Sequence, residues 1–328
     1  MSTDAQRAIR SWFDDAQLSP LGAGHIHDTY LVRTSDDRYV LQRVNEYVFR
    51  DGDLVMRQTR QLLSCWQRQN TYVVPDLISA LDGSLAVRSD GSLWRVWRFI
   101  AGRTIDPIQR PSQIEAVARA FARFQDCLER LPNVFTDTID GFLNLDHYLE
   151  AFAAVEQDAP EDLKRFIGAN AHLGSSLKDR HCHIHGDCKV NNVLFDGQGQ
   201  DVIAVIDFDT AMYGHWAWDF GDLVRSVSFS AGGYDLRKFS ACVRGFAGAQ
   251  SRVTPEQAAV APAYVALMLG VRFLTDHLQG DPYFKVTNHG DNLDRARAQL
   301  SLLKAFLQRR QEMVAATQAL LRSGSESR

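Results

Sequence analysis

Cysteine is scarce: five among 328 residues, at positions 65, 127, 182, 188 and 242, with no Cys-x-x-Cys pair. An odd, scattered set rules against a disulfide framework, so a reducing compartment is expected, with the cytosol as the location. Proline and glycine are modest at 9 and 22, which excludes collagen-like and low-complexity chains. No block of basic residues occurs and the formal charge is -4. A phosphate-backbone footprint is missing, and nucleic acid is not an expected partner. The opening MSTDAQRAIRSWFDD has charges throughout, unlike a signal peptide. No later run reads as reaching the ~18 apolar residues of a membrane span, so neither export nor membrane insertion is expected. No internal repeat is found.

What is present is the balance of a globular protein, 45% apolar and 23% charged. The length exceeds the roughly 250 to 300 residues at which one core stops growing, so two lobes are expected. QLSPLGAGHIHDTYLVR places Gly22 and Gly24 between two short apolar runs, and TSDDR separates the second from YVLQRV; this reads as a three-strand meander. Leu54, Val55, Gln58, Leu62, Leu63 and Trp66 then recur at near-helical spacing, predicting one helix over 51–69 packed on the sheet. Two more strands follow around SLAVRSD and SLWRVWRFI, with a turn at Ser89 to Gly91.

Beyond Ile100 the pattern turns helical. From Ser112, one face carries Ile114, Val117, Ala118, Phe121, Phe124, Gln125 and Leu128. Further helices are predicted at about 145–156 and 293–321, with an island of short strands over 181–209 and a frayed tail, SGSESR. Strands followed by helices with a small β island give a two-lobed α+β architecture whose cleft lies near residue 100.

The densest set of polar residues inside apolar strands spans 183–225. Burying such groups is costly without partners, which marks the segment as a site candidate. Three readings compete. His183, His185 and Asp187, with Cys188 next to them, resemble a zinc-binding loop of a metallo-hydrolase, but His215, His277 and His289 have no matching motif around them. Alternatively, His185-Gly186-Asp187 with Asn192 five residues past the Asp, followed by Ile206-Asp207-Phe208-Asp209, matches the catalytic loop and metal site of phosphoryl-transfer kinases. A carboxylate takes the acceptor proton there, and nearby oxygens hold Mg2+ against the nucleotide phosphates. In the third, these are satisfied core polars: His181 and His183 as buried imidazoles, the cysteines as small hydrophobes, Asp196 as a turn former, and Asp219 and Asp222 bonded to backbone or to Arg225.

HGDCKVNNVLF followed by VIDFDTAMYGHWAWDFGDLVR resembles the phosphotransferase superfamily that contains aminoglycoside phosphotransferases and choline kinases. LGAGHIHDTYLV, YVLQRVNEYVFRD, WRVWRFIAGRTID, AVARAFARFQ and GVRFLTDHLQGDPYFKVTNHGDNLDRARAQLSLL resemble its N-acetylhexosamine 1-kinase branch, so the likeness runs from about residue 20 to about 312. The resemblance implies a protein-kinase-like fold: a β-rich N-lobe over 1–97 that binds nucleotide phosphates, a hinge at 98–102, and a helical C-lobe over 103–322 holding the catalytic loop and acceptor pocket. Residues 323–328 are left as a disordered tail. It implies Asp187 as base, Lys189 reaching the transferred phosphate, Asn192 and Asp207 on Mg2+, and ATP in the cleft against Gly22, Gly24 and the hinge residues Arg98, Phe99 and Ile100.

The sequence departs from that pattern in places. The β3 position that in many relatives holds a phosphate-binding Lys is Gln42 here, with Arg43 adjacent, and strand alternation admits only one of them to the cleft. The helix at 51–69 has no Glu, so a Lys to Glu pair of the protein-kinase type is absent, and FLNLDHY departs from the hexosamine kinases. Only 11 residues separate Asp207 from Asp219, too few for a peptide-binding activation segment, so the acceptor should be small. A sugar is expected, at the anomeric hydroxyl of an N-acetylhexosamine, contacted by Asp187, Asp207, Arg272, Asp276, His277, Tyr283, Asn292 and Arg295, with 133–150 and 272–297 shaping the pocket. An aminoglycoside would need an acidic surface, and choline or another amino alcohol an aromatic cage. A nucleotide-binding protein without turnover is the non-enzymatic alternative.

Overall fold

The structure is a computed structural model that describes residues 3–22, 26–108, 110–131, 135–230, 233–250 and 252–326. In chain order its elements are α1 (Thr3–Ala8), a 3-10 turn (Ile9–Ser11), β1 (Gln17–Pro20), β2 (Asp28–Arg33), β3 (Arg38–Arg43), α2 (Gly52–Trp66), β4 (Leu77–Ile78), β5 (Val87–Ser89) and β6 (Ser92–Arg98). Then follow α3 (Pro111–Leu128), α4 (Leu145–Ala153), α5 (Glu161–Asn170), β7 (Cys182–Ile184), β8 (Val193–Phe195), β9 (Val202–Val205) and β10 (Met212–Gly214). The chain continues through α6 (Trp216–Val227), β11 (Phe229–Ser230), β12 (Gly233–Tyr234), α7 (Leu236–Ala247), α8 (Pro255–Leu278) and α9 (Asp291–Glu326).

The N-terminal strands form one antiparallel sheet in the order β1-β2-β3-β6-β4, with β5 also on β6. Alternation along the strands splits its two faces. Val32, Leu41, Trp94 and Val96 pack with Ala5, Ala8, Ile9 and Trp12, so α1 and the 3-10 turn seal one face. Val40 and Gln42 lie on the other, opposite Trp97 and Arg95. The β5–β6 connection is the two-residue turn Asp90-Gly91, both at positive φ (50° and 77°), the geometry that matches strand twist in tight hairpins.

Helix α2 starts on an Asp51 cap, whose carboxylate accepts from the Leu54 amide at 2.8 Å. Its first turn presses on the sheet: a Cβ at Gly52 would lie 2.7 Å from Leu93. Its far end, Leu62, Leu63 and Trp66, belongs to the core of the helical lobe, and Gln58 both donates to and accepts from the Thr136 backbone, at 3.0 and 2.7 Å. The helix thus bridges the two lobes.

In the C-terminal part, every face residue predicted for α3 is buried. Helices α4 to α8, with α6, α7 and α8 over 216–278, were not resolved as separate elements in the sequence beyond the 145–156 prediction. Helix α8 corrects the absence of a membrane-length run: its 24 residues are long and apolar enough to cross a membrane by length and composition, yet most of that stretch is buried within the protein. It is the central helix of the bundle, and Tyr264 on it donates to the Leu143 carbonyl at 2.9 Å. The long C-terminal helix runs past its predicted end at 321 to Glu326. The tail read as frayed is therefore helical through Glu326, a continuation of a helix anchored by buried Ala296, Leu300, Leu303, Phe306 and Met313.

Candidate active site

Two short antiparallel pairs, β7 with β10 and β8 with β9, project the loops that carry the polar cluster. The turn after β7 depends on Gly186: its φ is +83°, and a Cβ there would lie 2.4 Å from the Thr210 carbonyl oxygen, so both conformation and space demand glycine. Buried Asp219, at the start of α6, clamps this turn by accepting the backbone N–H groups of His185 and Gly186, each at 2.8 Å. It also accepts from Gln125 at 2.8 Å. Burial raises the Asp219 pKa above the usual carboxylate value, against the pull of His185, Gln125 and the two amides.

His185 is buried and its ring is fully used. Its Nε2 lies 3.0 Å from the Ile206 carbonyl and its Nδ1 accepts from the Asp187 amide at 3.3 Å, fixing Nε2 as the protonated nitrogen. His183 packs edge-on against Phe135 and Tyr213, with ring centres 4.9 and 5.3 Å away. Among the described residues, the groupings able to share a metal ion include neither imidazole nor Cys188. The metallo-hydrolase reading is thereby corrected: these side chains support the loop from below.

Above them, the Asp187 carboxylate meets Lys189 Nζ through Oδ1 at 2.8 Å and accepts from Asn192 Nδ2 through Oδ2 at 3.0 Å. Asn192 Nδ2 also donates to the Asp187 carbonyl at 2.8 Å, so Oδ1 is the atom that Asn192 can offer a cation. The Ile206 amide donates to the Asn192 carbonyl at 3.0 Å, bringing Asp207 alongside. Asp207 sits at φ +66°, a strained conformation for a residue with a side chain, of the kind that tertiary packing enforces at functional sites. Its side chain is exposed to solvent. Desolvation first, then the carboxylates of Asp209 and Asp187, raise its pKa. Lys189 has its pKa raised by Asp187 and other nearby carboxylates, against the opposing effect of desolvation.

Two residues beyond Asp207, Asp209 turns into the protein and meets a partner that the sequence did not announce. Arg95 on β6, 1% exposed, binds it bidentately at 2.8 and 2.7 Å. His27 Nε2 lies 2.8 Å from the same carboxylate, and Thr138 Oγ1 donates to the Asp209 carbonyl at 2.8 Å. Burial alone would raise the Asp209 pKa; Arg95 and His27 outweigh it and hold the group well below the usual range. Gln42 Oε1 accepts from Arg95 Nε and Nη2 at 3.1 and 3.0 Å and from Trp97 Nε1 at 2.8 Å.

This settles the choice left by strand alternation. Gln42 faces the cleft and is spent on orienting Arg95, whereas Arg43 lies on the opposite side of the sheet, paired with Asp28. The cation beside Gln42 on this face is Arg95 of the neighbouring β6, buried and committed to Asp209. Among the described residues no α2 carboxylate joins it; Met56 approaches, its sulfur 3.9 Å from Arg95 Nη1.

The remaining predicted residues are distributed as follows. Gly22 is at φ +69°, and a Cβ there would meet no described residue within 4 Å, while Gly24 lies outside the described residues. At the hinge, Arg98 is exposed and paired with Asp37 and Asp76, the Phe99 amide donates to the Arg38 carbonyl at 3.1 Å, and the Ile100 carbonyl accepts from Gly102 at 2.8 Å. On the helical side, the Arg272 guanidinium is ringed by Phe142, Tyr148, Tyr283 and Phe284, 4.9 to 5.6 Å from the ring centres. Asp276 is buried and accepts from the amides of Tyr283 and Phe284 and from Asn292, all within 3.0 Å. Arg295 donates to Asn292 Oδ1 and to the Lys285 carbonyl. In this structure Asp276 and Arg295 hold the loop after α8 together, and Tyr283 is its exposed aromatic.

The same arrangement of lobes occurs in solved structures. The microcompartment-associated aminopropanol kinase superposes with a TM-score of 0.71 at 16% identity, covering 95% of this chain and 97% of that one. A choline/ethanolamine kinase family protein from Mesorhizobium loti gives 0.65 at 18% identity, covering 97% and 99%. An aminoglycoside phosphotransferase from Alicyclobacillus acidocaldarius gives 0.65 at 15%, covering 94% and 96%. At such identities the likeness is one of fold, and the protein-kinase-like architecture expected from the sequence is the one found. Residues 17–262 match the phosphotransferase enzyme family, and the chain belongs to that family.

Proposed function

We propose that this member of the phosphotransferase enzyme family transfers the γ-phosphoryl group of ATP, with Mg2+, to a sugar hydroxyl, the anomeric position of an N-acetylhexosamine. The phosphotransferase activity toward an alcohol group comes with the family; the acceptor is the further step. The observation that supports the reaction is the convergence of Asp187, Lys189 and Asn192 on one loop, with Asp207 beside them.

Both Asp187 oxygens are engaged by cationic or amide N–H groups, but a carboxylate offers about four lone-pair sites. It therefore still accepts the acceptor's hydroxyl hydrogen while its geometry stays fixed. As the acceptor oxygen bonds to the γ-phosphorus, the bond from that phosphorus to the β–γ bridging oxygen breaks. The proton goes to Asp187, and ADP leaves. Lys189, half exposed beside Asp187, would meet the phosphoryl oxygens of a nucleotide bound there. Asp207 and Asn192 Oδ1 are hard oxygen donors of the type that suits Mg2+, whose contribution is to neutralise charge on the nucleotide phosphates. An anomeric hydroxyl is more acidic than other sugar alcohols, which suits a carboxylate base.

The choice of sugar over amino alcohol or aminoglycoside rests on Arg272. Its guanidinium occupies the aromatic ring set that a quaternary ammonium would need. Phe142 in that set is four residues from Thr138, which is bonded to Asp209, a span of at most ~14 Å. A fixed cation there repels polycationic acceptors and donates to hydroxyl or carbonyl groups. The test is ADP release with Mg·ATP against N-acetylhexosamines, hexoses, aminopropanol, choline and an aminoglycoside, with 31P NMR of the product. Turnover confined to the hexosamines, with phosphate coupled to the anomeric proton, is expected. Turnover of an amino alcohol or aminoglycoside alone would overturn the acceptor. Asp187→Asn should lose at least ~10²-fold in kcat at unchanged thermal stability, and full activity would remove the base.

A further inference from the structure

We propose that the junction between α8 and α9 is a second metal site, in which His277, Asp281 and His289 hold a divalent ion of the zinc class apart from the Asp187–Asp207 centre. His277 lies in the last turn of α8, Asp281 four residues on, and His289 just before α9. One ligand atom from each lies within 4.8 Å of the others, and the two imidazole rings are 5.2 Å apart. Among the described residues, His277 Nδ1 is buried from solvent and finds no hydrogen-bond partner. Its neighbour Asp281 Oδ1 is 3.9 Å away, too long for a hydrogen bond. A buried ring nitrogen without a partner carries a desolvation cost. Two ligands of one tetrahedral ion, each about 2.0 to 2.1 Å from it, stand roughly 3.3 Å apart, so closing the three groups by up to about 1.5 Å around an ion would resolve that cost.

The surroundings are those of a preorganised ligand set. Asp281 has its amide bonded to the Asp276 carbonyl at 2.8 Å, and its carboxylate accepts from Asn292 Nδ2 at 2.9 Å. Asn292 is in turn held by Asp276 and Arg295. Outer hydrogen bonds of this kind fix ligand orientation. His289 is exposed and gives an ion its path in. Two imidazoles with one carboxylate favour zinc or cobalt over Mg2+ or Ca2+, which prefer oxygen donors throughout. Occupied, the site would tie the end of α8 to the start of α9 and brace the loop that carries Tyr283 and Phe284 against Arg272. That loop also touches the N-lobe, where Tyr47 donates to the Pro282 carbonyl at 3.4 Å.

The experiment titrates the chelator-treated, dialysed full-length chain with Co2+ and with Zn2+ in saturating Mg2+. One equivalent with the visible d–d bands of tetrahedral cobalt is expected, together with a rise in melting temperature on adding Zn2+. His289→Ala, an exposed change that should leave the fold intact, should weaken binding by ~100-fold or more and abolish the zinc-induced rise. Asp207→Asn should leave both unchanged. No bound equivalent above the Mg2+ background would overturn the proposal, as would equal affinity in His289→Ala or loss of the cobalt bands in Asp207→Asn.

Discussion

Replacing Arg95 by methionine removes the guanidinium that holds Asp209 while keeping most of the side-chain volume. Arg95 and Asp209 side chains are each 1% exposed, and two of the arginine nitrogens contact the carboxylate within 2.8 Å. Removing one partner of a buried ion pair costs about 3 to 5 kcal/mol, because the other charge stays behind without compensation. His27 remains 2.8 Å from Asp209, so the lower end, about 3 kcal/mol, is the expected loss; that is a factor of roughly 150 in the unfolding equilibrium. Urea denaturation followed by tryptophan fluorescence measures it, with Asp209→Leu and the double variant completing a cycle. The double variant should be more stable than Arg95→Met alone, since it leaves no buried charge. The pH dependence has a definite sign. In the wild type Asp209 titrates below the ordinary carboxylate range, so its stabilisation is present above the unfolded carboxylate pKa and is lost as pH falls through the lower folded value. Without Arg95, burial raises the Asp209 pKa, and protonation relieves the isolated charge, so the penalty should be larger at pH 7 than near pH 5. A loss under about 1 kcal/mol at pH 7, or a double variant no better than the single one, would refute the assignment of Arg95 as the tie between the sheet and the loop that carries Asp207 and Asp209.

The other predictions concern the loops around Asp187. Gly186→Ala combines a positive φ with a methyl 2.4 Å from the Thr210 carbonyl; at least about 2 kcal/mol of stability should be lost, with kcat falling because Asp187 is the next residue, and an unchanged melting curve would contradict the geometry. Asp219→Ala strands two backbone amides and leaves Gln125 Nε2 with only the longer bond to the Trp216 carbonyl; at about 1 to 3 kcal/mol for each unsatisfied group, the variant should melt well below the wild type. Asp207 has a raised pKa, so Mg·ATP affinity should begin to fall on acidification at a pH above the ordinary carboxylate range, and Asp207→Asn should flatten that limb of the affinity profile.

Local spacing alone brings the candidate residues together. Asp187 and Asn192 lie five residues apart on one loop, and Asp207 follows on the return of a short hairpin, so their convergence needs little more than β8 and β9 pairing. The buried face of α3 was likewise legible, because helical period and apolarity agree there. What the linear pattern left open was decided by which surfaces pack together. Gln42 and Arg43 are adjacent and polar, and only the covering of one sheet face by α1 sends Arg43 away from the cleft. Arg95 and Asp209 are 114 positions apart, and neither looked exceptional until β6 was laid beside β3. For His183 and His185 the sequence left metal ligand, catalytic-loop residue and buried imidazole open, and their contacts with Phe135, Tyr213 and the Ile206 carbonyl make them loop supports. Arg272 among its aromatic rings draws on residues 142, 148, 283 and 284. A charge and its distant partners carry no local signature, since long-range pairing leaves no period in the chain. Residues that act within one turn are therefore fixed by sequence, and those that act across the lobes are fixed by packing.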